Sequence, residues 1–218
     1  MLLSGSRRPG GTGQQRPAHR HRQAGGQSRR MGRDKATTLL NGKMMLTHLI
    51  EKLPPYLPIF LISNTPEKHA IFECPIVADV LPGKGAPGGI YTALHHSQTP
   101  WTLCLACDTP LLSSALLMYL LSQMEIDSDA AAIVPIVNER YQPLHVLYHQ
   151  HCKTVFHDQL HNNEKVPAIR SLLDMLPLKT LNEQTLRQYD PDLRSFINVN
   201  TPDELRHVEK LLDASAGE

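Results

Sequence analysis

From Asp34 onward the apolar residues follow two alternating patterns. In one, they recur every three or four residues, which predicts amphipathic helices over residues 45–53, 116–121, 152–160, 166–173 and 205–212. A loop over residues 81–89 is expected before a further helix through residues 90–94, and Thr201, Pro202 and Glu204 predict a capping box at the start of the last helix. In the other, they form short continuous runs, which are typical of strands buried on both faces. These runs predict strands over residues 58–63, 76–78, 101–106, 130–137 and 196–199, and the alternating segment 144–148 reads as an edge or antiparallel strand.

Strands that alternate with helices predict an α/β fold, a three-layer sandwich around a mostly parallel, Rossmann-like sheet. Ligands of such folds bind at the carboxyl ends of the strands. This rule selects four places for attention: a glycine turn at Gly25, Asp79, Asp108, and the segment from Asn198 to Asn200.

The first 22 residues differ from the rest in composition. They contain no Asp or Glu, are rich in Arg, Gly, Gln and Pro, and have almost no apolar residue after Leu3. Because such a segment can bury too little surface to offset its ordering, residues 1–22 are expected to be disordered and residues 23–218 to form one domain.

Charge and cysteine content narrow the functional classes. The formal net charge of +1 argues against a general nucleic-acid or membrane-surface binder, which needs a large basic field. Four cysteines in 218 residues make no disulfide scaffold and favour a reduced, cytoplasmic setting. The pair Cys104 and Cys107 is interpreted as buried strand residues rather than zinc ligands.

The 12 histidines invite a comparison with metal sites. Three of them, His145, His149 and His151, cross from a predicted strand end into a helix. We interpret them as scattered surface histidines rather than a site.

A glycine-rich turn spans residues 24–35, from Ala24-Gly25-Gly26 to Lys35. Adjacent glycines let backbone N–H groups approach a triphosphate closely, and Arg30 and Lys35 can neutralise phosphate charge. The alternative is a surface turn with solvated basic side chains.

Four further residues carry candidate chemistry, and each has a structural alternative. Asp108 follows a buried strand directly, where one carboxylate with phosphate oxygens suits Mg²⁺, or it caps a helix. Asp79 ends a short strand and contacts a ligand or forms a turn. Asn198 and Asn200 line a site or cap the backbone before the last helix.

Taken together, these segments resemble the molybdenum cofactor guanylyltransferases, members of the pyrophosphorylase-like nucleotidyltransferases. The resemblance runs from about residue 23 to the last helix. Its motifs are the 24–35 turn, Asn41-Gly42-Lys43, Asp79 with the Gly85–Ile90 loop, Cys107-Asp108-Thr109-Pro110, and Ile197-Asn198-Val199-Asn200-Thr201-Pro202.

The resemblance implies a nucleotide-diphospho-sugar-transferase-like fold and transfer of GMP from GTP to molybdenum-bearing molybdopterin, with release of pyrophosphate. Mg²⁺ would be held by Asp108, and transient contacts with other cofactor-assembly proteins and recipient enzymes would follow. The residues implied for GTP are Gln23, Ala24, Gly25, Gly26, Lys35, Asp79 and Asp108, with Lys35, Asp108 and Arg30 in catalysis and Asn198 and Asn200 on the pterin side.

The chain departs from the family where an apolar first strand should precede the turn. Residues 16–23 are instead Arg16-Pro17-Ala18-His19-Arg20-His21-Arg22-Gln23, a poor strand by propensity. Either this strand is degraded, or a foreign N-terminal segment is joined at about Gln23. The alternatives for function are cytidylyl transfer and a catalytically impaired nucleotide-binding protein.

Overall fold

The computed structural model describes residues 34–125 and 129–216, together with the backbone of residues 2–3 and 21–23. Within these residues the strands are β1 (Leu2–Leu3), β2 (His21–Gln23), β3 (Leu39–Leu40), β4 (Lys43–Met44), β5 (Phe60–Ile62), β6 (Ile76–Val77), β7 (Trp101–Leu105), β8 (Ala132–Val137), β9 (Arg140–Tyr141), β10 (His145–His149) and β11 (Leu178–Leu181).

The helices of the described chain are α1 (Met45–Glu51), α2 (Pro66–His69), α3 (Gly85–His96), α4 (Ser114–Ser122), α5 (Cys152–Asn162), α6 (Ile169–Leu173), α7 (Glu183–Leu186) and α8 (Pro202–Ala216). Short 3₁₀ turns lie at Ala70–Phe72, Gln123–Glu125 and Arg194–Phe196. None of the helices traced here is both long and apolar enough to cross a membrane.

The main sheet has the strand order β11-β8-β10-β7-β1-β2-β5-β6, with β9 paired to β8. Strands β2, β5 and β6 pair in parallel, as do β8 and β11. Because β1 and β10 each run antiparallel to both of their neighbours, the other six strands along this order all point the same way. The predicted α/β fold with a mostly parallel sheet is confirmed.

Apolar side chains cover both faces of the sheet, as continuous apolar strands require. Along β7, Leu103 and Leu105 face one core while Cys104 between them faces the other, as the two-residue period of a strand dictates. The first core takes the buried leucines of α1 and α4, and the second takes those of α3, α5 and α6. This arrangement produces the three layers.

A third, smaller core lies beneath the last helix. It joins Leu40, Met45, Val199 and Val208, all fully buried. Leu40 reaches it because β3 and β4 form a hairpin, with Asn41 and Gly42 at φ values of 47° and 76° in its turn. An Asn-Gly pair suits such a turn because both residues tolerate positive φ.

Most predicted elements are confirmed with ends shifted by a few residues, and two predictions were wrong. The helix α3 begins at Gly85, where we expected a loop to Gly89. Residues 196–199 form no strand; a 3₁₀ turn ends at Phe196 and an irregular extended segment follows. The strand β10 is antiparallel as one alternative held, but it lies inside the sheet between β7 and β8 rather than at an edge.

Two short parts of the segment expected to be disordered lie in the sheet. Leu2–Leu3 pairs with Leu105 and with residues 21–22, and His21 and Gln23 pair in parallel with Phe60 and Ile62. Ladder pairing uses backbone groups, so a sequence of poor strand propensity does not by itself prevent it. The remainder of residues 1–20 lies outside the described residues, and their exclusion from the domain stays a prediction.

Candidate active site

Three polar side chains far apart in sequence meet at the carboxyl edge of the sheet. The Lys35 ammonium donates to Oδ2 of Asp108 at 2.6 Å and to Oδ1 of Asn200 at 2.5 Å. The side chains of Lys35 and Asp108 are 15% and 19% exposed, so the ion pair is partly shielded yet within reach of a ligand. The structure thus brings together three residues, Lys35, Asp108 and Asn200, that the sequence analysis had selected separately.

The chain around Asp108 explains how Asn200 reaches this pair. Asp108 follows β7, and its carbonyl accepts a hydrogen bond from the Val199 N–H at 2.8 Å. This bond holds the segment before α8 against the end of β7. The helix-capping alternative for Asp108 is wrong, because the side chain of Ser113 caps α4 by accepting from the Leu116 N–H.

The predicted capping box of α8 is confirmed. The Thr201 hydroxyl accepts from the Glu204 N–H at 3.2 Å, while the Glu204 carboxylate accepts from the N–H groups of Asn200 and Thr201 at 2.6 and 2.9 Å. These N–H bonds lower the pKa of the Glu204 carboxyl. The box therefore fixes the backbone of Asn200, whose side chain is held on Lys35.

A buried chain of hydrogen bonds anchors the residue before Lys35. Nε2 of His69 lies 2.8 Å from Oδ2 of Asp34, and Nδ1 of His69 lies 2.7 Å from Oγ of Ser63. His69 is 0% and Ser63 1% exposed. The hydrogen bond from His69 lowers the pKa of the Asp34 carboxyl below its usual range. The sequence analysis had not singled out His69.

Asp79 belongs to a second polar group, which lies after β6, the strand next to β5 at the end of the sheet. Asn64, just after β5, donates its amide to Oδ2 of Asp79 at 3.0 Å and accepts from the Asp79 N–H at 2.9 Å. The Thr92 hydroxyl lies 3.4 Å from Oδ1 of Asp79. Burial raises the pKa of the Asp79 carboxyl despite these hydrogen bonds.

Asn64 could have been found by the rule that selected Asp79, since it too is polar and directly follows a buried strand. Thr92 carried no such signal because it lies within α3 on a mostly apolar face.

The donor atoms at Asp108 bear on whether a metal fits. No cluster of three or more His, Cys, Asp or Glu side chains suited to a metal occurs among residues 34–124 and 129–214. Mg²⁺, however, is often held by one or two carboxylates together with substrate phosphates and water. Asp108, with the Asn200 amide oxygen near it, fits a magnesium ion shared with a nucleotide.

Several predicted residues cannot be compared with this geometry. Ala24, Gly25, Gly26 and Arg30 lie outside the described residues. Gln23 ends β2 opposite Ile62 of β5, and Asn64 follows two positions after Ile62. Asn198 is exposed, in contrast to the partly buried Asn200.

The prediction of scattered surface histidines was wrong for His145. It is 3% exposed, its ring packs against Phe196 with centroids 4.9 Å apart, and burial lowers its pKa to about 4. Within the described structure its Nε2 has no hydrogen-bond partner. His149 is partly buried against Trp101, and His151 is exposed as expected.

The two cysteines of the Cys104–Cys107 pair differ in their surroundings. Cys104 is fully buried in the second core, and burial raises its thiol pKa well above the usual range. Cys107 packs at the margin of the first core, and its thiol pKa rises to about 11 for the same reason. Both are protonated packing residues at neutral pH.

Comparison with known proteins shows the family to which the chain belongs. Residues 23–183 match the family model described as MobA-like NTP transferase domain, which is most of the chain. The chain belongs to this family. The chain is therefore a nucleotidyltransferase, as the sequence motifs predicted.

Two relatives illustrate the match. A probable molybdenum cofactor guanylyltransferase of Natranaerobius thermophilus is 34% identical over 195 residues, covering 87% of this chain and 93% of the relative. The molybdenum cofactor guanylyltransferase of Desulfosudis oleivorans is 31% identical, with 88% and 94% covered.

A solved structure supports the fold of this MobA-like NTP transferase. It is molybdopterin-guanine dinucleotide biosynthesis protein A from Archaeoglobus fulgidus, with a TM-score of 0.78 over 89% of this chain and 98% of that one. At 24% identity this likeness speaks for the fold. The nucleotide-diphospho-sugar-transferase-like fold class is likewise supported by a cytidylyltransferase from Thermus thermophilus, with a TM-score of 0.60.

Proposed function

We propose that this nucleotidyltransferase transfers GMP from GTP to molybdenum-bearing molybdopterin and releases pyrophosphate. The observation that carries the proposal is the Lys35–Asp108–Asn200 cluster at the sheet edge of a chain in this family. The names of the relatives from Natranaerobius and Desulfosudis supply the guanylyl donor and the molybdenum cofactor as acceptor.

In the proposed reaction the terminal phosphate of the pterin attacks the α-phosphate of GTP. A P–O bond forms to the α-phosphorus, the bond to the bridging β-phosphate oxygen breaks, and pyrophosphate leaves. A phosphate nucleophile is already ionised at neutral pH, so the step needs no general base. Catalysis then consists of positioning and charge neutralisation.

Lys35 is assigned to the triphosphate. Its ammonium is a compact positive charge held by Asp108 and Asn200, so its position is fixed before the nucleotide arrives. The amides of Gly25 and Gly26 and the guanidinium of Arg30 are proposed to complete the triphosphate site, with Gln23 and Ala24 leading into it.

We assign Asp108 to Mg²⁺, which when bound would neutralise phosphate charge and orient the triphosphate. Asn198 and Asn200 remain the proposed pterin side of the site. The contact of Asn200 with Lys35 supports this assignment, because the terminal phosphate of the pterin must approach the triphosphate that Lys35 is proposed to bind.

Asp79 and Asn64 are proposed to read the base. A carboxylate accepts from both N1–H and the exocyclic amine of guanine, whereas adenine offers no such pair of donors. Asn64 and Thr92 orient the Asp79 carboxylate for this contact.

The alternative functions are cytidylyl transfer and nucleotide binding without turnover. The Ala24-Gly25-Gly26 sequence favours the guanylyl reaction by resemblance, since the cytidylyl enzymes tend to have Ala-Ala-Gly there. The atypical residues before Gln23 favour the impaired protein.

The decisive experiment measures pyrophosphate release with GTP, CTP and ATP, each with molybdenum-bearing molybdopterin. We expect turnover with GTP; turnover with CTP alone would contradict the guanylyl proposal, and GTP binding without turnover would support the impaired protein. Asp108→Asn is expected to weaken the Mg²⁺-dependent part of GTP binding, with Asp192→Asn, an exposed aspartate, as the matched control. Unchanged Mg²⁺ dependence in Asp108→Asn would contradict the metal assignment.

The remaining parts of the proposal concern the setting of the enzyme. We propose that residues 23–218 are the nucleotidyltransferase domain, that the protein acts in the cytoplasm, and that it contacts other cofactor-assembly proteins and recipient enzymes transiently. Deleting residues 2–20 tests the first part. We expect the unfolding midpoint to be unchanged. A large decrease in the midpoint would show that β1 is part of the domain.

A further inference from the structure

The side chains of Ser63, His69 and Asp34 form a chain of two hydrogen bonds that ends at the residue before Lys35. Ser63 stands at the end of β5, His69 at the end of α2, and Asp34 next to Lys35 in the chain. The two distances, 2.7 Å and 2.8 Å, are those of good hydrogen bonds. Such a chain ties the start of the 34–38 turn to the edge of the sheet.

A histidine suits this place because its two ring nitrogens point in opposed, fixed directions. With its Nε2–H donated to the Asp34 carboxylate, Nδ1 can accept the Ser63 hydroxyl hydrogen. The Ser63 oxygen in turn accepts the Thr65 N–H at 3.0 Å. The ring stacks on Phe72, with centroids 6.2 Å apart, so it cannot turn away without opening the core.

Asp34 is held from several sides at once. Its Oδ1 accepts the Ala36 N–H at 2.9 Å, and its carbonyl accepts the Thr38 hydroxyl at 2.9 Å. The backbone of Lys35 therefore lies between two fixed residues, Asp34 and Ala36. Its side chain leaves this fixed point to reach Asp108 and Asn200.

We propose that His69 is a positioning residue for the phosphate-binding lysine: through Asp34 it fixes the backbone from which Lys35 reaches the triphosphate. The inference rests on the proposed function of Lys35 and extends it to a buried residue that touches no substrate. Loss of a positioning contact can move a reacting group by about 1 Å, which lowers rates by up to about 100-fold.

The first test compares two variants of His69 in the full chain. His69→Leu fills much of the space but leaves Asp34 unpaired, and we expect kcat/KM for the nucleotide to fall by about 10- to 100-fold. His69→Gln can donate an amide N–H to Asp34 and accept from Ser63, so we expect it to restore activity to within about 5-fold of the wild type.

A double-mutant cycle separates positioning from a general structural role. If His69 acts through Lys35, then His69→Leu should change kcat/KM by less than about 3-fold once Lys35→Ala is already present, because coupled residues are not additive. Leu160→Ala in α5 is the matched control for stability, since Leu160 is buried in the core away from the site. It should lower the unfolding midpoint without changing kcat/KM of the folded enzyme.

Three results would overturn the inference: unchanged kcat/KM in His69→Leu, equal loss in folded His69→Gln and His69→Leu, or multiplicative losses with Lys35→Ala. The wild type is assayed beside the variants with GTP, CTP and ATP. If the wild type turns over a different nucleotide, the proposed function is corrected, and kcat/KM for that nucleotide is measured in the same double-mutant cycle. If the wild type binds but does not turn over nucleotide, the cycle is read from GTP affinity under the same criteria.

Discussion

At the scale of single residues, some side chains of the site could be identified from the sequence around them and others could not. Lys35 and Asp108 could be selected because each stands beside a recognisable signal, a glycine turn or the end of a buried strand. His69 could not be selected, because nothing in the sequence of Pro66–His69 distinguishes a buried hydrogen-bond partner of Asp34 from an exposed helix residue. Its role depends on a residue 35 positions away.

His145 gives a prediction about pH at this scale. Burial lowers its pKa to about 4 even though Asp108, Asp190 and the Ser195 backbone favour the charged form. The unfolded chain, with a histidine pKa of about 6.5, therefore binds more protons between these values. Stability is fully present above pH 6.5 and falls with pH, by about 2 kcal/mol at pH 5 from this residue.

Urea unfolding at pH 7.5, 6.5, 5.5 and 5 measures the effect. His145→Leu should lose less stability than the wild type across this range, with the two curves converging toward acid pH. His151→Leu, at an exposed histidine, is the control and should run parallel to the wild type. Parallel curves for His145→Leu would show that its protonation is not linked to folding.

At the scale of elements, local sequence signals located most helices and strands but misjudged where α3 begins. The residues Gly85–Gly89 look like a loop because glycine disfavours helix. At Gly88, however, a Cβ atom would lie 2.8 Å from the Lys84 Cβ and 3.1 Å from the Leu81 carbonyl oxygen. Glycine stands there because the loop after β6 packs closely on the helix, a requirement that only the folded chain reveals.

The end of α8 nearest the site carries a second prediction. Thr201→Ala removes the side-chain acceptor for the Glu204 N–H, and we expect the free energy of unfolding to fall by about 1 kcal/mol. Thr154→Ala, an exposed position inside α5, is the same substitution without a cap and should be neutral or slightly stabilising. Equal effects of the two variants in urea unfolding would contradict a capping role for Thr201.

At the scale of the whole molecule, the sheet collects residues that are distant in the chain. Lys35 and Asn200 are 165 positions apart yet share a hydrogen bond. Lys35 lies near β5 because the residue before it, Asp34, is bonded through His69 to Ser63 at the end of that strand. The strands β5 and β7 point the same way, and the Val199–Asp108 hydrogen bond holds the segment with Asn200 against the end of β7. The two cores on either side keep these strand ends in register.

The second core can be tested apart from the site. Phe156 is fully buried in α5 and meets the Tyr148 ring edge-on, with centroids 5.7 Å apart. Phe156→Ala should lower the free energy of unfolding by about 3–5 kcal/mol and leave kcat/KM of the folded enzyme unchanged. Val166→Ala, at a side chain 41% exposed, should change it by less than about 0.5 kcal/mol. A loss below about 1 kcal/mol in Phe156→Ala would mean that this core is not tightly packed.

The sequence by itself determined the fold class, the order of most elements, the family and the candidates Lys35, Asp79, Asp108 and Asn200. It could do so because hydrophobic periodicity, glycine turns and polar residues at strand ends are local signals, and because the ordered motifs resemble those of a known family. Only the tertiary structure decided that Asp108 and Asn200 both hold Lys35, that Asn64 orients Asp79, that His145 is buried, and that His69 anchors Asp34. Each of these depends on which distant strand lies beside which, and that is fixed by packing across the whole sheet.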